Sequence, residues 1–227
     1  MMRLALLLVL IAATPASAAE LMVVGRSDTL LEPRALAFRD AKVPVAGRRC
    51  SVDGRTALSA LVRTPLKLGL RDFGACGPRA ADGGGLYVRS VAGEAERGSD
   101  GWVYKVDNRA PGVGAGDPAG RFPRRTVQVL WFWCRMGASG CQRTLSVAPE
   151  RDVVAPAGAV RVLVRAHNDE GVAPAAAGAR VSMGSASAVT DADGEAVLRA
   201  PMQTGTFDVV ATQRGRVRSF AATVTVR

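Results

Sequence analysis

The chain has 227 residues, 48% hydrophobic and 5% aromatic, with a formal net charge of +10. That length supports one large or two small domains, each able to bury a core. The positive charge is nearly all arginine, with lysine only at Lys42, Lys67 and Lys105, and it is scattered among acids; this argues against a nucleic-acid interface and suits weak attraction to anionic envelope polymers or lipid headgroups.

In chain order, Met1-Met2-Arg3, the apolar run Leu4–Ala13 and the small residues Thr14–Ala19 read as a secretory signal peptide over residues 1–19, cleaved after Ala18 or Ala19. The apolar run is too short for ~30 Å of hydrocarbon. The expectation is an extracytoplasmic mature protein with no transmembrane span. Export makes Cys50, Cys76, Cys134 and Cys141 an even set in an oxidising compartment, for which three pairings exist. Spacing favours Cys50–Cys76 and Cys134–Cys141, contributing about 3.5 and about 2.5 kcal/mol by loop-closure entropy. A zinc site competes, but it would want paired Cys-x-x-Cys or nearby histidines, and His167 is remote in sequence.

Leu21–Val24 and Leu36–Phe38 read as strand pieces with Pro33 interrupting them, followed by a turn at Asp53-Gly54. Thr56–Arg63 carries apolar residues at 57, 58, 61 and 62, one helical face, with Thr56 as N-cap and Pro65 as stop. Leu66–Asp82 reads as irregular, and Gly83-Gly84-Gly85 as a flexible turn before the strand Leu86–Val91.

The segment Gly101–Cys134 holds all three tryptophans and predicts two central strands joined by an elaborate loop. Trp102 and Tyr104 share one strand face, as do Trp131 and Trp133, with Phe132 opposite. Core filling accounts for most of these rings. Trp102, beside a glycine-rich loop, is the expected exposed exception. Asp107-Asn108 supplies the turn. The candidate ligand-binding set is Trp102, Tyr104, Asp107, Asn108, Gly112 and Gly114.

The run from Gly101-Trp102-Val103-Tyr104-Lys105-Val106-Asp107-Asn108 through Pro111-Gly112-Val113-Gly114 resembles the signature of a secreted β-grasp-like domain family. That family is similar to the C-terminal β-domain of transcobalamin and intrinsic factor. The resemblance covers about residues 40–135, including the helix at Thr56–Leu61 and the strand Leu86–Gly93. It departs at Asp107-Asn108, where the family has Asn-Gly, and at Pro123-Arg124-Arg125, where it has Gly-Asp. It implies a domain over 20–147 and, as one alternative, a carrier of a small heterocycle such as a corrinoid. The carriers add a helical barrel that this chain lacks.

Val147–Gly158 reads as linker plus a first short strand. Alternating strands then follow at Val160–Ala166, Gly178–Met183, Ala188–Thr190, Glu195–Leu198, Gly205–Thr212 and Arg218–Val226. They predict an antiparallel β-sandwich over 148–227, similar to carboxypeptidase-regulatory or bacterial immunoglobulin-like modules. Asp191–Gly194 reads as a hairpin turn rather than a calcium loop. His167 falls in a polar stretch with no Gly-x-Ser-x-Gly elbow, and Glu94 and Glu96 in a solvated loop. The expected fold is therefore mainly β: a β-grasp-like domain with one short helix, then a small sandwich. The expected function is a non-catalytic binding or adhesion protein of the envelope or medium, needing no metal or cofactor. A purely structural envelope protein is a further alternative.

Overall fold

The computed structural model describes residues 18–74, 76–123 and 125–227. Residues 1–17 of the expected signal peptide lie outside the described residues. Ala18 and Ala19, in the expected cleavage region, open the first strand, β1 (Ala18–Val24), which pairs antiparallel with β2 (Thr29–Ala37). Pro33 sits within β2 instead of interrupting it. It falls at a register shift on the edge strand of its sheet, where a residue without an N–H leaves no ladder bond unmade.

β3 (Ala41–Val45) and β4 (Arg48–Val52) form a hairpin closed by Ala46 and Gly47, both at positive φ (48° and 78°), the geometry of a two-residue turn matched to strand twist. The helix α1 (Ala57–Val62) follows. Thr56 caps it as expected, its hydroxyl accepting from the Ser59 amide, and Leu58 and Leu61 are fully buried. Within the stretch expected to be irregular lies a strand, β5 (Leu68–Asp72), paired with β6 (Leu86–Val91), which also holds the two-residue β7 (Glu94–Ala95). Gly69 lowers the β propensity of β5, but a side chain there would meet Ser90 Oγ at 2.3 Å. The triglycine run is not a loose turn. It ends a 3-10 helix over Ala80–Gly85, and a Cβ on Gly116 would lie 2.2 Å from the Gly83 carbonyl oxygen. The glycines there let two backbones touch.

β8 (Gly101–Val106) and β9 (Val127–Cys134) pair antiparallel with Trp102 opposite Trp133 and Tyr104 opposite Trp131. β9 also pairs in parallel with β1, giving the sheet order β2-β1-β9-β8 with α1 packed on one side. This is a β-grasp arrangement. β9 is apolar almost throughout because both its faces are covered. Val127, Val129, Trp131 and Trp133 join the helix-side core, while Leu130, Phe132 and Cys134 face a separate cluster with Met22, Val217 and Phe220.

The second half contains β10 (Thr144–Pro149), β11 (Val153–Val154), β12 (Ala159–His167), β13 (Arg180–Met183), β14 (Ala186–Val189), β15 (Glu195–Arg199), β16 (Gly205–Thr212) and β17 (Ala222–Val226). Sheets ordered β10-β12-β15 and β11-β17-β16-β13-β14 share one core, and their ladders are antiparallel apart from β11–β17. Part of the expected linker is strand: β10 runs across position 147 and pairs with β12. The Asp191–Gly194 turn closes no hairpin, because β14 and β15 lie in different sheets. Its Asp191 Oδ1 accepts from the amides of Asp193 and Glu195. Gly194, at φ 77°, passes so near Val164 that a Cβ would meet its carbonyl oxygen at 2.5 Å. Both expected disulfides, Cys50–Cys76 and Cys134–Cys141, are formed. No helix among the described residues is long and apolar enough to cross a membrane.

Candidate functional site

Strand alternation sends four of the five rings of β8 and β9, Trp102, Tyr104, Trp131 and Trp133, to the helix side of the sheet. Trp131 donates its indole N–H to the Ala57 carbonyl at 3.1 Å, tying sheet to helix. Tyr104 stacks on Trp131 at 5.3 Å and donates its hydroxyl to the Val113 carbonyl at 2.9 Å. Burial, with the Asp117 charge second, pushes its phenol up to about 12. Trp102 overturns the expectation of an exposed ring. It is 4% exposed, set edge-to-face on Trp133, with its N–H donated to the Glu94 carbonyl at 2.7 Å. The acceptor lies eight residues upstream in the two-residue β7, a polar stretch of sequence, so only the folded chain reveals it.

The turn residues meet a different fate. Asp107 and Asn108 both take positive φ (47° and 66°) and close a tight turn in which Val106 and Arg109 exchange backbone hydrogen bonds. The Asp107 carboxylate is used internally, accepting from the Gln128 amide at 2.9 Å and pairing with Arg125 at 2.6 Å. That contact builds the corner where Pro123-Arg124-Arg125 departs from the family pattern; Arg124 itself lies outside the described residues. Gly112 and Gly114 are exposed in the strap that follows, and a Cβ on Gly112 would meet nothing within 4 Å. The strap is fixed further along, where the Ala115 carbonyl accepts from the Leu58 amide and Phe122 N–H donates to Arg55. The six candidate residues therefore form no single site. Two sit in the turn, two in the strap, and the two rings beneath.

A site that the sequence does not announce lies where the two halves meet. The sheet face away from α1 carries Met22, Leu130 and Phe132, and the segment Val217–Phe220 covers it. Lys105, on the same face, is 1% exposed. Its ammonium donates to the Asn168 carbonyl at 2.8 Å and the His167 carbonyl at 3.2 Å, and pairs with Asp169 at 3.2 Å. Burial depresses its pKa, and the Asp169 carboxylate opposes that. A buried cation is tolerated where its protons are so used. Asp169 is held in turn by the Cys141 amide and, through its own carbonyl, by the Ala110 amide.

Beside this bolt is a groove of about 280 Å³ lined by Asn108, Gln128, Ser146, Val147, Phe220 and Thr223. Asn108 is the one sequence-nominated residue that reaches it. On its sandwich side, Ser146 Oγ lies 2.8 Å from His167 Nε2, a diagonal contact between β10 and β12. His167, in the stretch read as polar, is half-buried at a strand end. Burial, then the Lys105 charge, holds its pKa below the ordinary histidine value against a hydrogen bond with the Gly171 backbone. In the neutral tautomer protonated at Nδ1, Ser146 donates to Nε2 and keeps its acceptor capacity; in the other tautomer Nε2 donates to Ser146. The groove thus offers an amide pair, a hydroxyl and an apolar floor.

No family model matches the chain, and no curated protein matches it. The comparisons give no support to the resemblance to transcobalamin and intrinsic factor. Among solved structures the chain is similar to the D00-D0 domain of Intimin, at 15% identity and a TM-score of 0.29, over 63% of this chain and 89% of that one. A likeness at that level carries no statement about function.

Proposed function

We propose that the protein is an exported, non-catalytic binding or adhesion protein of the cell envelope or its surroundings, recognising its ligand at the groove between its two β domains. The observation that carries this reading is joint construction. Asn108 and Gln128 come from the β-grasp domain and Ser146, Phe220 and Thr223 from the sandwich, while buried Lys105 locks the two together. A site assembled this way is preorganised, which lowers the cost of binding. The two disulfides suit an oxidising compartment.

The groove, at about 280 Å³, is at or below the small end of ligand pockets, which run from roughly 300 to 1,000 Å³. It suits a single ring or a short polymer segment rather than an enclosed macrocycle such as a corrinoid. The test is a thermal-shift screen of the mature protein against wall fragments, glycans and corrinoids, repeated on Asn108→Ala and Gln128→Ala. The expected result is stabilisation by a glycan or wall fragment that both variants lose. Equal stabilisation of wild type and both variants would move the site elsewhere. A visible-spectrum shift on adding cobinamide would favour the carrier reading, and no response to any class would favour a purely structural role.

A further inference from the structure

At the other end of β9, past the Cys134–Cys141 staple, the same domain seam opens into a second cleft, of about 200 Å³. Its lining includes Arg26, Arg135, Arg216, Gln142 and the glycine backbone at Gly25 and Gly215. A partly buried arginine is ordinarily partnered by a carboxylate. Here, among the described residues, none of the three forms an ion pair, while six other basic side chains and Lys105 do. The carboxylate of Glu94 stands near Gly25 but accepts from the Arg26 backbone amide.

The unspent donors are specific atoms. Arg26 Nε and Arg216 Nη1 are buried and have no hydrogen-bond partner. Arg26 is held in place by its Nη2 bond to the Ala95 carbonyl and by lying 4.0 Å over the Trp133 ring. Arg135 is held by donating to the Arg26 carbonyl at 2.7 Å, and Gln142 by contacts to Arg135 N–H and the Trp133 carbonyl. The cations are thus fixed with donors to spare, whereas buried polar groups are ordinarily paired. Burial and the neighbouring Arg143 charge push the Arg216 pKa down, as expected for a cation lacking an anion.

From the arginine lining of the cleft and the unpartnered, buried Nη1 of Arg216 we propose that this cleft binds a phosphate or sulfate group, either as the free ion or as the terminal ester of a larger molecule. A tetrahedral oxyanion supplies several acceptors, and the planar guanidinium fork meets such groups bidentately. This site is distinct from the Asn108 groove, so its failure leaves the binding reading above intact.

The test is calorimetry and thermal denaturation of the mature protein with inorganic phosphate, inorganic sulfate and glycerol phosphate, against chloride at matched ionic strength. A saturable single-site response is expected. Arg216→Gln and Arg135→Gln should each weaken it by roughly tenfold or more, the loss of one charge-assisted hydrogen bond. Arg161→Gln, on a separate sandwich cleft, should change nothing. Glycerol phosphate binding as tightly as phosphate identifies an ester-accepting site, and much weaker binding identifies a free-ion site. Arg216→Lys keeps the charge but not the fork, and covers the case in which Arg216→Gln fails to fold. The proposal is overturned if phosphate and sulfate act no differently from chloride, if the folded Arg216 variants respond as wild type does, or if Arg161→Gln weakens binding equally.

Discussion

Two cationic regions sit on one domain seam and treat the same problem in opposite ways. At Lys105 the buried ammonium meets two carbonyls, a hydroxyl and a carboxylate, all from the sandwich side. Around Arg216, arginines line a cleft without an ion pair among the described residues, and buried N–H groups stay unpartnered. The first arrangement is self-contained and works as a bolt. The second is incomplete without an anion. Burying charge therefore does not by itself mark either stability or function; the tally of partners does.

Four experiments press on this contrast. The apolar centre between the two regions sets the scale. Phe132→Ala, at a fully buried position, is expected to cost about 4 kcal/mol in urea denaturation, and a cost near zero would mean that the seam opens in solution. Lys105→Met should cost about 3 kcal/mol, since it strands the carbonyls of His167 and Asn168 and leaves Asp169 unpaired. A neutral result would remove the bolt from the account.

The third effect is smaller and depends on pH. His167 has a folded pKa below its ordinary 6.5, so below that value the unfolded chain binds more protons than the fold. The associated stability is full above 6.5 and declines as pH falls through the folded pKa. His167→Gln should flatten the decline, measured as urea midpoints at neutral and mildly acid pH. Because the Lys105 charge is one cause of the depression, Lys105→Met should move the imidazole titration, followed by NMR, back towards 6.5. Smallest of all, Arg216→Gln in the absence of oxyanion should leave stability within about 0.5 kcal/mol or raise it slightly, because it removes a cation without removing a pair. A large loss there would make Arg216 a second bolt.

How much of this was legible in the sequence follows from the range of the interactions. Local signals held: the Thr56 cap, the Asp107-Asn108 turn and the two-faced alternation of Gly101–Val106 and Val127–Cys134 are set by neighbours along the chain. Propensity misled where tertiary contact outweighed it. Gly69 disguised β5, Pro33 suggested a break that a bulged edge absorbs, and the alanine- and proline-bearing 147–149 stretch is the end of β10. The candidate site fared worse. Lys105 reads as an ordinary polar position on an alternating strand, and only the docking of the second half makes it interior. The Ser146–His167 contact and the Arg26–Arg135–Arg216 gathering join residues from separate segments. No window of sequence contains them.

The parallel pairing of β1 with β9 has a consequence for how the chain comes to be folded. Glu20 and Gln128 are joined by a side-chain hydrogen bond across 108 residues, so the central pair of the first sheet is a distant contact. β1 finds β2 at once, but its other edge stays open until β9 has been made. Such non-local pairings close late and expose strand edges meanwhile. A chain threaded across a membrane from its N-terminus would deliver β1 first and complete the sheet only after Cys134 had crossed. Under the export proposed above, folding on the far side should depend on a holding chaperone far more than the modest size of the chain suggests.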